Sequence, residues 1–245
     1  MQPATNIFAQ HARPFRYVVI DIETGYPPQD AIDAALQNWK APKNWKPETV
    51  EAKRSEAEKN IREKSALLDS APILCICAKS EAQSIAFNGM SAEQYSINDW
   101  FTIGCGDERT MLIGLREWLD SFTDETTAIV GHNHKSFDVP KLRGRYAHHR
   151  LRLPQALMYR AVELIDTMQL AKHFSVEHNN DFMVSLDDVC FMLDVERPKQ
   201  HFSGAEVPDA HKRGEYELIL NYCAIDCVAT EQCFQIMAGQ HPNQE

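Results

Sequence analysis

No run of apolar residues in this chain approaches the roughly 20 needed to cross a bilayer, so a membrane-spanning role is not expected. The N-terminus also lacks a basic start followed by an apolar stretch. Met1 to Ala12 is polar and mixed, and residues 1–13 are expected to form a loose leader. No Cys-x-x-Cys pair occurs, and no His/Cys set has the spacing of a zinc site. The seven cysteines are scattered, and Cys75, Cys77, Cys190, Cys223 and Cys227 sit in apolar runs. They read as buried, reduced thiols of a cytoplasmic protein. Positive charge is in deficit as well: 25 Lys and Arg against 35 Asp and Glu, for a net charge of −10. That balance argues against a general nucleic-acid coating protein. It does not exclude an enzyme acting on nucleic acid, because metal-binding carboxylates count as negative until bound cations reverse the local field.

What is present is an ordinary globular composition, 44% hydrophobic and 24% charged. With 245 residues the chain can bury one sizeable core, and it is expected to be a single domain over 1–245 carrying an insertion at 26–70. There is no internal repeat and no low-complexity tract. Phe15 to Ile22 is apolar almost throughout, as in a central strand covered on both faces. Asp21 and Glu23 lie two apart, so in an extended chain both leave the same face. An acid pair at a strand end is often a solvated edge. Asp21, however, interrupts an apolar run and would be costly to bury unpaired, which favours a metal.

In the insertion, Asp30 to Trp39 has helical spacing, Ala41 to Pro47 breaks it, and Glu48 to Leu68 reads as a long charged helix. Two readings stand side by side: an arm guiding a nucleic-acid strand with Trp39, Lys43, Trp45 and Lys46 at its tip, or a helical pair packed on the body. Ile73–Ala78 and Ser84–Phe87 read as strands that continue the first into an antiparallel meander. Arg109 to Phe122 is an amphipathic helix with Met111, Leu112, Leu115, Trp118 and Leu119 inward. Ala128–Gly131 is a strand, Phe137–His149 a helix with Pro140 tolerated in its first turn, and Val162–Ile165 the last strand. Asp166 reads first as a cap of Met168–Phe174 and second as a fifth acid near a site. Ser185 to Leu193 is a short helix capped by Ser185, Glu196 to Asp209 a loop, and Arg213 to Met237 one closing helix with Leu218, Cys223 and Val228 toward the core. Strands first, then strands alternating with helices, indicate an α/β fold with a mixed five-stranded sheet flanked by helices.

Three segments then combine. Tyr17 to Thr24 ends a strand in Asp21-Ile22-Glu23-Thr24. Gly131-His132-Asn133-His134-Lys135-Ser136-Phe137-Asp138-Val139-Pro140 follows a strand and opens a helix. Tyr222 and Asp226, at i and i+4, share one face of the closing helix. These segments resemble the motifs of the DEDD superfamily of 3′–5′ exonucleases, in its tyrosine subtype. The histidine subtype would place His at 221, which is Asn here. Asn-x-x-Ser-Phe-Asp-Val-Pro is similar to the proofreading domain of family B DNA polymerases, so the chain looks like a stand-alone relative of that domain.

The resemblance implies a ribonuclease H-like fold, hydrolysis of phosphodiesters from a 3′ end, and release of nucleoside 5′-monophosphates. It implies two divalent ions, Mg²⁺ or Mn²⁺, held by Asp21, Glu23, Asp138 and Asp226, with Tyr222 orienting the attacking water. Hard oxygen donors suit those ions. The expected partner is single-stranded nucleic acid, with DNA favoured over RNA, and no membrane. Thr24 is placed to touch the terminal nucleotide, Phe137 to pack near its base or in the core, and Asn133 to fix the turn or meet substrate. Lys135, Lys141, Arg143, Arg145, Arg150 and Arg152 gather after the second motif and read as a phosphate track or a solvated helix face. Two other functions stay open: the same chemistry on RNA or short oligonucleotides, and a non-catalytic binding module with vestigial acids.

Overall fold

The first strand, whose successive residues enter two different cores, sets the layout of the molecule. The structure is a computed structural model that describes residues 16–37, 39–63, 68–122, 127–179, 181, 183–196 and 202–239. The expected leader, 1–13, lies outside them. Strand β1 (Arg16–Thr24) is buried on both faces. Its odd positions, Tyr17 and Val19, belong to one core cluster, and its even positions, Val18, Ile20 and Ile22, to another. Asp21 and Glu23 continue the odd face, so the strand's alternation aims both acids at whatever covers Tyr17 and Val19.

The other strands are β2 (Ile73–Ser80), β3 (Ser84–Asn88), β4 (Phe101–Gly104), β5 (Thr127–Gly131) and β6 (Leu164–Asp166). They form a six-stranded sheet in the order β4-β3-β2-β1-β5-β6. The meander β1-β2-β3 is antiparallel, whereas β1-β5, β5-β6 and β3-β4 pair in parallel. The C-terminal ends of β1, β5 and β6 therefore lie at one edge of the sheet. Five strands were expected, and the sixth is β4. With one buried residue in four it carries no readable period. It is fixed instead by its parallel pairing with β3, and Thr102 Oγ1 donates to the Tyr95 carbonyl at 2.6 Å. Only glycine fits at Gly104, because a Cβ there would lie 2.2 Å from the Ala92 carbonyl oxygen.

Helices α1 (Gln29–Gln37) and α2 (Pro47–Glu63) fill the segment between β1 and β2. Helix α3 (Glu108–Phe122) and helix α4 (Asp138–His148) cover the even face of β1, with Met111, Leu112, Leu115, Leu142 and Tyr146 fully buried there. Helix α5 (Thr167–Phe174) and helix α6 (Leu186–Met192) are capped by Asp166 and Ser185. Helix α7 (Val207–Arg213) and helix α8 (Tyr216–Met237) complete the chain.

The expected single helix from Arg213 is thus two. Gly214 adopts φ 78°, a left-handed conformation that ends α7 and lets the chain restart as α8. The expected loop to Asp209 ends early for the same reason, since Pro208 is tolerated in the first turn of α7. Helix α8 lies across the odd face of β1 and β2, burying Ile219, Leu220, Cys223, Cys227 and Phe234. Leu218, expected inward, is exposed. Burying each such aliphatic or aromatic side chain stabilises the fold by about 1.5–3 kcal/mol. Any carboxylate on that same face must be compensated in another way.

No described helix is long and apolar enough to cross a membrane. All seven cysteines are free thiols, and six of them are buried.

Candidate metal centre

Asp21 and Glu23 on β1 and Asp226 on α8 meet where the odd face of the strand is covered by the helix. One carboxylate oxygen from each lies within 4.8 Å of the other two. A small-residue contact allows α8 to come this close. Cys223 Sγ donates to the Asp21 carbonyl at 3.4 Å, and Cys227 Sγ donates to the Cys77 carbonyl at 3.3 Å. The fourth acid, Asp138, opens α4 beside the same strand end. Its Oδ1 accepts from the Ile22 amide at 3.2 Å, between the two β1 acids.

Electrostatics at this point are unfavourable in the absence of a cation. Burial raises the Asp21 carboxyl well above its usual range, and the Asp226, Asp138 and Glu23 carboxylates raise it further. Asp138 is pushed up to about 7, mainly by burial and then by Asp166 and Asp226, against the hydrogen bonds from its own amide and that of Ile22. Asp21 Oδ2 is buried and accepts no hydrogen bond among the described residues. An orphaned carboxylate oxygen facing three other carboxylates fits a hard divalent cation, and all the donors on offer are oxygen.

Tyr222 lies one turn before Asp226. Burial together with Asp226, Glu23 and Asp21 pushes the pKa of the Tyr222 hydroxyl upward. The phenol therefore stays protonated and is a donor, not a base. Phe202 packs edge-on against the Tyr222 ring at 5.2 Å.

The segment after β5 is held by Asp166. Its Oδ1 accepts from Asn133 N at 2.9 Å and Met168 N at 3.0 Å, and its Oδ2 from Lys135 N at 3.2 Å. Asp166 caps α5 and pins the turn that delivers Asp138. Capping was the first expectation and a place near the site the second; the hold on this turn was not expected. The signal for that hold is its place at the end of β6, in register beside Gly131. Asn133 takes φ 56° in that turn. His134 wedges beneath Gly131, its Nδ1 3.2 Å from the Gly131 carbonyl, and burial lowers its pKa to about 4, so it is neutral.

The residues expected around substrate are distributed differently. Thr24 is buried at the strand end, where the register slips after Glu23. Phe137 packs against the core beneath the sheet. Lys135 is exposed, with Nζ 3.2 Å from Gln169 Oε1.

The six cations of the expected phosphate track do not share one exposed face: Lys135, Arg150 and Arg152 are exposed, whereas Lys141 and Arg145 are buried. Lys141 is buried and donates to the Leu68 carbonyl, and Arg145 is buried on Glu108 and the Asp69 carbonyl. Arg143 donates to the carbonyls of Leu157 and Met158, and Arg152 pairs with Asp120. The cause is the helical period of α4, which turns Lys141 and Arg145 inward onto the body.

A family model described as RNase_H superfamily matches residues 82–238, more than half of the chain. The chain belongs to the RNase H superfamily. Membership points to nuclease-type chemistry on nucleic acid. The six-stranded mixed sheet with helices on both faces is consistent with the RNase H fold. The matched span includes Asp138, Tyr222 and Asp226 but begins after β1. Asp21 and Glu23 thus join the RNase H core through the sheet itself, in which β1 lies between β2 and β5. No curated protein matches the chain.

Proposed function

We propose that the protein is a metal-dependent 3′–5′ exonuclease of the DEDD tyrosine subtype, acting on single-stranded DNA. The observation that carries this reading is the convergence of Asp21, Glu23 and Asp226 within 4.8 Å, beside the buried Asp138, with an orphaned Asp21 oxygen at the centre. Asp21, Glu23 and Asp226 are the residues for one divalent ion, and Asp21 with Asp138 those for a second. Mg²⁺ or Mn²⁺ held there supplies charge neutralisation at the phosphodiester and a more acidic water.

The chain's own groups do the rest. The protonated Tyr222 hydroxyl donates a hydrogen bond to the attacking water and orients it for in-line displacement of the 3′ oxygen. The Ile22 amide and the turn pinned by Asp166 hold Asp138 in place before substrate arrives, so no reorganisation is needed during the reaction. Thr24, at the end of β1, and Asn133, in the turn after β5, would meet a terminal nucleotide. Of the expected track, Lys135, Arg150 and Arg152 stay exposed. The preference for DNA rests on the likeness of residues 133–140 to family B proofreading domains.

The test is a 5′-labelled single strand, as DNA and as RNA, incubated with Mn²⁺ or with EDTA. A ladder shortening from the 3′ end, dependent on metal and faster on DNA, is expected. A chain that degrades neither strand with Mn²⁺ is not an exonuclease.

A further inference from the structure

The arm between β1 and β2 is not absorbed by the metal centre, yet it is rooted at the rim of that site. β1 delivers the acids and ends at Thr24, and the Gly25 amide donates to the Pro72 carbonyl at 3.0 Å, just before β2 begins. Both ends of the arm thus leave the sheet at the edge where the carboxylates lie. The returning end is fastened to the body through Lys141, Arg145 and Glu108, which engage Leu68, Asp69 and Ile73. Beyond that root, α1 and α2 pack on each other as a hairpin, with Arg62 Nη2 donating to Gln29 Oε1 at 2.7 Å. Helix α2, 17 residues, extends about 25 Å.

Charge is unevenly placed along this arm. The tip, Trp39-Lys40-Ala41-Pro42-Lys43-Asn44-Trp45-Lys46, has three lysines and no acid in a chain of net charge −10. All three lysines are exposed, and none forms an ion pair or side-chain hydrogen bond among the described residues. Trp39 and Trp45 are half-exposed, their ring centroids 6.5 Å apart and the planes tilted by 53°. Lysine is depleted at protein–protein interfaces, so three in eight residues speak against a protein partner. Aromatic faces flanked by unpaired cations are instead the composition that holds single strands: bases stack, phosphates pair with lysine, and no sequence is read.

We propose that the arm tip is a second contact site for the single strand, resting on the nuclease reading above. A base upstream of the 3′ end stacks on the Trp39–Trp45 pair, and Lys40, Lys43 and Lys46 hold the adjoining phosphates. The arm keeps the strand tethered while its end is in the metal site.

The experiment measures affinity for a fluorescent oligothymidylate, longer than the ~4–16 nucleotides of one such site, in EDTA so that no cleavage intervenes. The double variant W39A/W45A is expected to bind about tenfold more weakly. The triple variant K40Q/K43Q/K46Q is expected to flatten the dependence of log affinity on log salt by about 2, from roughly 0.7 per phosphate contact. Both variants should hydrolyse a dinucleotide with Mn²⁺ as fast as the wild type, since a dinucleotide does not reach the tip. Unchanged affinity and unchanged salt slope overturn the proposal. So does a parallel loss of dinucleotide hydrolysis, which would make these residues part of the body's packing. A wild-type protein that binds the long strand through the tip but releases no nucleotide removes the exonuclease reading and leaves the tether standing.

Discussion

The two ends of α4 treat buried charge in opposite ways. At its N-terminus Asp138 joins Asp21, Glu23 and Asp226, and acid faces acid. Two to three turns on, Arg145 and His149 meet Glu108 of α3, a largely buried side chain surrounded by donors. Arg145 grips it with Nε at 2.8 Å and Nη2 at 2.5 Å, His149 Nε2 lies at 2.7 Å, and the Ile73 amide donates at 2.7 Å. Burial alone would raise the Glu108 carboxyl, but Arg145, His149 and Ile73 reverse that and hold it below its usual range. Asp21 and Asp138 are raised. The first cluster is left incomplete by the chain and the second is complete within it. A fully satisfied cluster fixes the fold, whereas an unsatisfied one is kept for something the chain does not contain.

The largest expected effect comes from the incomplete cluster. Asp21→Asn should lower turnover on a DNA single strand by at least about a thousandfold, roughly 4 kcal/mol of barrier. It should leave the melting temperature of the metal-free protein unchanged or higher, because it removes a repelled charge. A rise in turnover or a large loss of stability would erase the contrast.

The complete cluster should behave in the converse way. Glu108→Ala strands Arg145 without its carboxylate and is expected to cost about 3 kcal/mol of stability, a drop of about 10 °C for a chain of this size. The folded fraction should retain its turnover, measured at a temperature well below the transition.

Tyr222→Phe keeps the ring on Phe202 and removes one donor, so turnover should fall by about tenfold with KM little changed. That is less than the loss of any carboxylate.

The smallest effect is on the pH dependence of stability in EDTA. Asp138 binds its proton more tightly folded than unfolded, so between its ordinary value of 3.8 and about 7 the native state holds more protons. Its stability contribution is present at low pH and lost as pH rises through about 7. Glu108 has the opposite sign: its contribution is present at neutral pH and lost as pH falls below its ordinary 4.5. Thermal melts of the wild type and of Asp138→Asn between pH 4 and 8 should diverge by a few degrees, the wild type declining more steeply because the variant keeps only the Asp21 part of the effect.

The central strands, the antiparallel meander and the capping by Asp166 and Ser185 were legible in the sequence because each follows from local pattern: short apolar runs, turn residues, a polar residue before a helix. The juxtaposition of Asp21 and Glu23 was legible for the same reason. What could not be read was set by distant contacts. Strand β4 exists through its pairing with β3, and Gly214 gives no sign in isolation whether it sits within a helix or ends one. The run Lys141 to Arg152 is basic in sequence, yet its inner members are spoken for by Glu108, Leu68 and Asp69, residues more than thirty positions away. Local charge counts do not reveal such partners. Glu108, which organises that latch, has no local signature beyond its place in the first turn of α3.

Titration of the metal-free protein with Mn²⁺ at pH 7, followed by calorimetry in two buffers of different ionisation enthalpy, tests the incomplete cluster directly. Two ions per chain bound with release of protons, and loss of that binding in Asp21→Asn, are the predicted results. A wild-type protein that binds no Mn²⁺, or an Asp21→Asn variant that binds it equally well, would contradict a metal centre built on these four carboxylates.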